Sequence, residues 1–237
     1  MLSQIKKLFF SVALAQLAAC GANPYKNYEK KDPAEDATVA LEEHNPNKAI
    51  EILTSALAGD PENWVYVSIL GLAYAERGGI DALTLAQNMA TSSSSASTHG
   101  VTSLFSIMPE ATDSNISDVD TALTYMTSIP PASRTSADVL KIAMFETAAL
   151  TLRTKKYDLD GDGTISPAEA LAMSGADATV ILSQLAGAAT AFASGNSTSA
   201  TDKAAAAQVT NIQSKIATCP GATQSDQLKN YLSKTGC

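Results

Sequence analysis

Aromatic residues make up only 5% of this 237-residue chain, histidine occurs twice, tryptophan once and cysteine three times, and lysine and arginine never stand more than two in a row. Each scarcity removes a class of function. A formal charge of −8 without a basic patch repels phosphate backbones and anionic lipid heads, which argues against nucleic acid as a partner. His44 stands beside Asn45-Pro46 and His99 in a serine-rich tract, so both read as solvated turn residues rather than catalysts. No G-x-S-x-G elbow, H-E-x-x-H pair or phosphate loop occurs. Glu42-Glu43 and Asp118/Asp120 read as solvated charges on helix surfaces, and the chain is expected not to be an enzyme. No segment of useful length alternates with the period of a strand. Abundant Ala, Leu, Ser and Thr instead favour helices with small side chains at their contacts, and the expected fold class is all-α.

What is present begins at the N-terminus. Lys6 and Lys7 precede an apolar run from Leu8 to Leu14 that is too short to span a bilayer, the pattern of an export signal. Leu17-Ala18-Ala19-Cys20 resembles the lipobox of bacterial lipoproteins. That resemblance implies a signal peptide over residues 1–19, cleavage before Cys20, a lipid on its sulfur and an acyl group such as palmitate on its nitrogen. An ordinary signal peptide cut near Ala19 is the alternative, since small residues satisfy that enzyme too. One acyl chain binds marginally, at about 0.8 kcal/mol per buried CH2, whereas two or three anchor stably. By resemblance to enteric lipoproteins, Gly21 after the cysteine implies the outer membrane, facing the periplasm or the cell surface. Loss of Lys6 and Lys7 leaves the mature chain two charges more negative.

Beyond Cys20 only Cys219 and Cys237 remain. In an exported chain such a pair reads as a disulfide, stabilising by roughly 3 kcal/mol through chain entropy; two buried thiols or a metal pair is the alternative.

Residues 20–33 are polar with Pro24 and Pro33 near the ends, and read as a tether between lipid and fold. The remainder, 34–237, is one helical region with possible halves 34–98 and 99–237 divided near the polar tract TSSSSASTHG. Asp32 caps a first helix with Pro33 in its first turn, and Val39, Ala40 and Leu41 begin its apolar face. Further helices are expected over 118–128, 136–156, from Asp177 to Gly195, from Thr201 to Thr218, and over 225–234. That at 136–156 is apolar almost all round and so central and buried.

In the stretch from Asn45 to Gly79, Ala49, Leu53 and Ala56 keep a helical spacing ended by Pro61, and Leu70-Gly71, Tyr74 and Gly78 continue it. This resembles tetratricopeptide repeats over about one and a half repeats. The resemblance implies a bundle of helical hairpins. A second copy is suggested where AIEILTSAL from Ala49 aligns with ALTYMTSIP from Ala122, and LGLAYAE from Leu70 with IAMFETA from Ile142, although Ala/Leu/Thr-rich helices also align by chance.

The most specific motif is YDLDGDGTISPAEALAM, residues 157–173. Residues 158–169 resemble an EF-hand calcium loop, which takes oxygen ligands at its first, third, fifth, seventh, ninth and twelfth positions. The resemblance assigns Asp158, Asp160, Asp162, Thr164 through its carbonyl, Ser166 directly or through water, and Glu169 as the bidentate closing ligand, with Gly163 at the sharp turn and Ile165 as the apolar residue. A metal-free alternative is a capping box, Ser166 with Glu169 and Pro167 in the first turn. That alternative leaves the aspartates crowded. Two like charges about 4 Å apart repel by about 4 kcal/mol at an effective dielectric near ~20. Calcium suits the site better than magnesium, which wants fewer, octahedral ligands. No second D-x-D-x-D-G run occurs to form a pair, so the ion reads as a structural staple rather than a switch.

Together these features point to a lipid-anchored envelope protein that binds or scaffolds a protein or peptide partner. Helical-repeat architectures bury a continuous core and present an extended surface. Trp64, Tyr66 and Tyr74 are expected in the core, with a binding groove as the alternative. Rival readings are a lipoprotein resembling those that accompany TRAP-type transporters and hold small apolar ligands, and an enzyme subunit acting on the cell wall through paired acids.

Overall fold

The computed structural model describes residues 32–82, 84, 85, 87, 101–194, 200–234 and 237. Cys20, the signal segment 1–19, all of the tether before Asp32, and His99 lie outside the described residues.

Every regular element among the described residues is a helix. In chain order these are α1 (Pro33–Glu42), α2 (Pro46–Leu57), α3 (Trp64–Arg77), α4 (Asp113–Ser128), α5 (Ser136–Lys155), α6 (Pro167–Ala172), α7 (Gly175–Ser194), α8 (Ala200–Thr218) and α9 (Gln224–Leu232), with 3-10 turns at Thr102–Ile107 and Pro131–Ser133. The protein is an all-α bundle in which consecutive helices from α1 to α5 pack against one another and α5 packs most broadly on α7.

Side-chain caps set the boundaries. Asp32 Oδ1 accepts from Ala34 N–H with Pro33 in the first turn, and Asn45 Oδ1 accepts from Lys48 N–H with Pro46 in the same role. Thr112 caps α4 through Asn115 N–H, which starts that helix at Asp113, five residues before the apolar pattern marks it. Thr135 with Asp138, and Thr223 with Asp226, form reciprocal capping boxes at α5 and α9. In α1 the buried face is Ala37, Ala40 and Leu41, while Val39 points outward at 45% exposure.

α5 is the central helix: Ile142, Phe145, Ala148, Ala149 and Leu152 join α3 and α4 in one core, while Leu150 faces a second core built with α6 to α9. Thr147, Thr151 and Thr154 are buried on it, each donating its hydroxyl to the carbonyl four residues back. That bond satisfies the hydroxyl without a partner helix. α3 and α4 meet where Gly71 lies on Met126. A Cβ there would stand 2.8 Å from the Met126 sulfur and 3.3 Å from the Ala122 carbonyl oxygen, so a larger residue would have to displace the buried Met126 side chain.

Polar ties cross the same interfaces. Arg77 donates to both carboxylate oxygens of Asp118, at 3.0 and 2.6 Å, and its guanidinium lies 4.6 Å from the Tyr74 ring centroid. Asp118 is therefore a buried, paired acid and not a solvated one, because α3 brings a cation to its face. Asp120 accepts from Arg153 of α5. Lys155 Nζ donates to the carbonyls of Phe105 and Met108 at 2.8 and 2.9 Å, fixing the 3-10 turn against the end of α5. Cys219 and Cys237 form a disulfide with Cα atoms 5.1 Å apart, joining the end of α8 to the chain beyond α9.

Candidate metal centre

α5 ends at Lys155 and the chain enters a run in which three aspartates alternate with Leu159, Gly161 and Gly163. Gly161 and Gly163 take φ of 72° and 81°, a conformation an L side chain would strain, and this lets the loop curl on itself. Each aspartate closes a short turn with one oxygen. Asp158 Oδ2 accepts from Gly163 N–H at 3.0 Å, and Asp160 Oδ1 accepts from Asp162 N–H at 3.1 Å. Asp162 Oδ1 accepts from both the N–H and the hydroxyl of Thr164 at 2.7 Å.

These turns converge the carboxylates. Asp158, Asp160 and Asp162 each offer an oxygen within 4.8 Å of the others. Asp158 Oδ1 is buried and has no hydrogen-bond partner. A buried carboxylate oxygen without a partner, on a residue clustered with two further carboxylates, is unfavourable without a cation. The donors are hard oxygens, which suits calcium or magnesium and not a thiophilic metal.

The remaining expected ligands are placed differently. Glu169 is only 6% exposed, and its carboxylate accepts from Leu159 N–H at 2.7 Å, Asp160 N–H at 3.3 Å and Ser166 N–H at 2.8 Å. The Ser166 amide above all, with those of Leu159 and Asp160, holds this carboxyl below its ordinary range against the opposing effect of burial. Ser166 Oγ accepts from Glu169 N–H at 3.4 Å, which completes a capping box at the start of α6. The structure thus gives Ser166 and Glu169 the capping-box role, and Glu169 is not among the carboxylates that converge within 4.8 Å of one another.

The loop is braced on its two sides, by the apolar residue that the motif expects and by a contact that no motif announces. Ile165 is buried in the second core with Leu150, Ala170 and Met173. Tyr157, the residue before the loop, donates its hydroxyl to Asp177, whose other bonds come from the Ser174 cap of α7. The Tyr157 hydroxyl first, then Ser174, holds the Asp177 carboxyl below its ordinary value. The start of the loop and the start of α7 are in this way one unit.

Two other polar groups escaped the sequence reading. Ser68 of α3 donates to Asp138 of α5 and accepts from Lys141 Nζ at 2.8 Å, a buried knot between two helices 70 residues apart in sequence. Burial opposes ionisation of Asp138, but hydrogen bonds from Ser68 and Thr135 overcome it and hold its carboxyl below the ordinary range. Glu146 of α5 lies against Gly187 of α7, where a Cβ would stand 2.6 Å from the carboxylate. Burial first, and the nearby Asp120 second, raise its pKa to about 7. Ser, Asp, Lys and Glu at ordinary helical spacing carry no local sign of such pairing, because the partner arrives from another helix.

His44 is exposed in a left-handed turn, φ 55°, with Nδ1 3.5 Å from Glu76. Trp64, Tyr66 and Tyr74 are each half-buried, and Tyr74 stacks on Tyr125 with ring centroids 5.5 Å apart. One helix among the described residues, α7, is long and apolar enough to cross a membrane; its Ala178, Ile181, Leu185 and Ala188 are buried in the bundle.

Compared with protein families, with characterised proteins and with solved structures, the chain matches none.

Proposed function

We propose that this chain is a lipid-anchored protein of the bacterial envelope, a helical binding or scaffold module whose acidic loop holds one structural calcium ion. The observation that carries the metal reading is the convergence of the Asp158, Asp160 and Asp162 carboxylates, together with a buried Asp158 Oδ1 that has no hydrogen-bond partner. Asp158, Asp160 and Asp162 supply side-chain oxygens, and Thr164, Ser166 and Glu169 complete the set. The bound ion neutralises the clustered charge and holds the start of α6 against the end of α5.

Its role is that of a staple. Ile165 is packed inside the chain's own core, so the loop leans on its own helices rather than on a second loop. At about 1 mM calcium and a dissociation constant of about 0.1 mM, linkage adds about 1.4 kcal/mol to folding. Attachment to the outer membrane rests on Cys20 and the basic, then apolar, segment before it. Protein or peptide binding rests on the architecture: consecutive packed helix pairs, in the manner of helical repeats, leave an extended surface.

Calorimetric titration of calcium into chelator-stripped protein tests the metal reading. Saturable binding that Asp158→Ala with Glu169→Ala abolishes is the expected result; absence of heat in the folded wild type overturns it. Cys20→Ser is expected to release the protein from the membrane fraction, and continued membrane association would remove the anchor.

A further inference from the structure

α2 ends at Leu57, the chain turns past Pro61, and α3 begins at Trp64, leaving a wedge that the end of α4 closes from the third side. The wedge is a cavity of about 250 Å3 walled by Leu57, Pro61, Trp64, Val67, Leu70 and Tyr125. The exposed Thr54 and Ser128 complete its lining with hydroxyls, and no charged side chain lines it in a chain of net charge −8. The aromatic wall is held in place from behind. Tyr125 stacks on Tyr74 at an interplanar angle of 23°, and Tyr74 is in turn covered by the Arg77 guanidinium that Asp118 fixes.

We propose that this cavity is a binding site for a small, neutral, flat ring compound of bicyclic size carrying one hydrogen-bonding group. It stands apart from the acidic loop and does not depend on the metal reading. Size sets the first limit: a closed cavity of about 150 Å3 accepts benzene, and this larger recess, open to solvent on one side, leaves room for a ring system on the order of ten non-hydrogen atoms. Charge sets the second, since an ionised ligand would lose water against Leu, Val and Pro with no counterion to meet it. Trp64 and Tyr125 provide ring faces and edges for stacking; the Thr54 hydroxyl can donate to the ligand, while the Ser128 hydroxyl donates to the Tyr125 carbonyl at 2.7 Å and offers only its oxygen as an acceptor.

Calorimetric titration of the full chain with quinoline, neutral at pH 7, tests the site, with quinoline-2-carboxylate as the charged counterpart. Trp64 is the only tryptophan, so its emission gives a second signal from the wall of the same cavity. The expected result is saturable one-to-one binding of quinoline at submillimolar concentration, at least tenfold weaker binding of the carboxylate, and perturbed Trp64 emission. Thr54→Trp and Ser128→Trp fill the cavity from exposed positions that the fold tolerates. Each is expected to weaken binding at least tenfold with an unchanged melting temperature. No saturable binding to the folded chain overturns the proposal. So does equal affinity for the carboxylate, or binding that neither variant weakens, which would place the ligand elsewhere, for instance in the glutamine-rimmed cavity beside Leu182, Leu185 and Ile216.

Discussion

In α1 to α3 the helices are joined by Ala37, Ala49, Leu53, Leu70 and Ala73 packed together, with Ala37, Ala49, Leu53 and Ala73 at 0% exposure and Leu70 at 1%. In α6 to α9 the core is built from larger side chains such as Ile165, Met173, Ile181, Leu185, Ile212 and Leu228, and this region also holds the Cys219–Cys237 bond and the acidic loop before α6. The contrast has a physical cause. Alanines at the crossing points let α1 to α3 approach closely enough for dispersion and burial to suffice. α1 with ten residues, α6 with six and α9 with nine are all too short to be stable by their own hydrogen bonds; α1 is held by that close packing, whereas the chain beyond α9 is also tied covalently to the end of α8.

The largest expected effect lies in the packed region. Leu53→Ala leaves a void among residues that cannot close it and is expected to cost about 2 to 5 kcal/mol in urea unfolding. The loss should be the same with or without calcium and reductant. If it varied with either, the division between the two regions would fail.

Next comes the covalent clamp. Cys219→Ser with Cys237→Ser is expected to lower stability by about 3 kcal/mol, from the loop of 18 positions that the bond closes. Hydrogen exchange should quicken first in α8 and α9 and leave α1 to α3 protected. Uniform loss of protection would show that the bundle opens as a single unit.

Calcium removal is expected to have a smaller effect, about 1.4 kcal/mol at about 1 mM free ion. Exchange should quicken at the start of α6 and, through Tyr157 and Asp177, at the start of α7. Tyr157→Phe removes that hydrogen bond and is expected to confine the calcium response to the loop itself; an undiminished response in α7 would rule out the brace.

The smallest effect concerns Glu146, on the face between α5 and α7. Asp120 of α4, itself paired with Arg153, is the charged group that acts on it, and α7 meets it with Gly187. With its pKa raised to about 7 from its ordinary 4.5, the folded chain holds this proton more tightly than the unfolded one. Stability therefore falls as pH rises from about 4.5 to 7, and the whole penalty is present above that window. Glu146→Gln removes the slope and is expected to stabilise at pH 8 by on the order of 1 kcal/mol, allowing for solvent screening of a partly exposed group. A pH profile identical to that of the wild type would show that Glu146 titrates normally.

Local chemistry was readable residue by residue. Asp32 before Pro33, the Pro130-Pro131 turn and the alternating aspartates after Tyr157 all act on neighbours within a few positions. The helices and the convergence of Asp158, Asp160 and Asp162 follow from those short-range rules. The same rules placed Val39 on the wrong face and Asp118 in solvent, because neither position has a fate until a particular helix lies beside it.

What the order of residues settles here is therefore the helical class and the acid-rich loop, since caps, turns and glycine conformations need only adjacent atoms. Which charges are paired, which hydroxyl meets which carboxylate, and where a cavity remains between α2, α3 and α4 were decided by packing. Those outcomes depend on distances between segments far apart in the chain, where burial and the low local dielectric turn ordinary Ser, Lys, Glu and Tyr residues into specific partners.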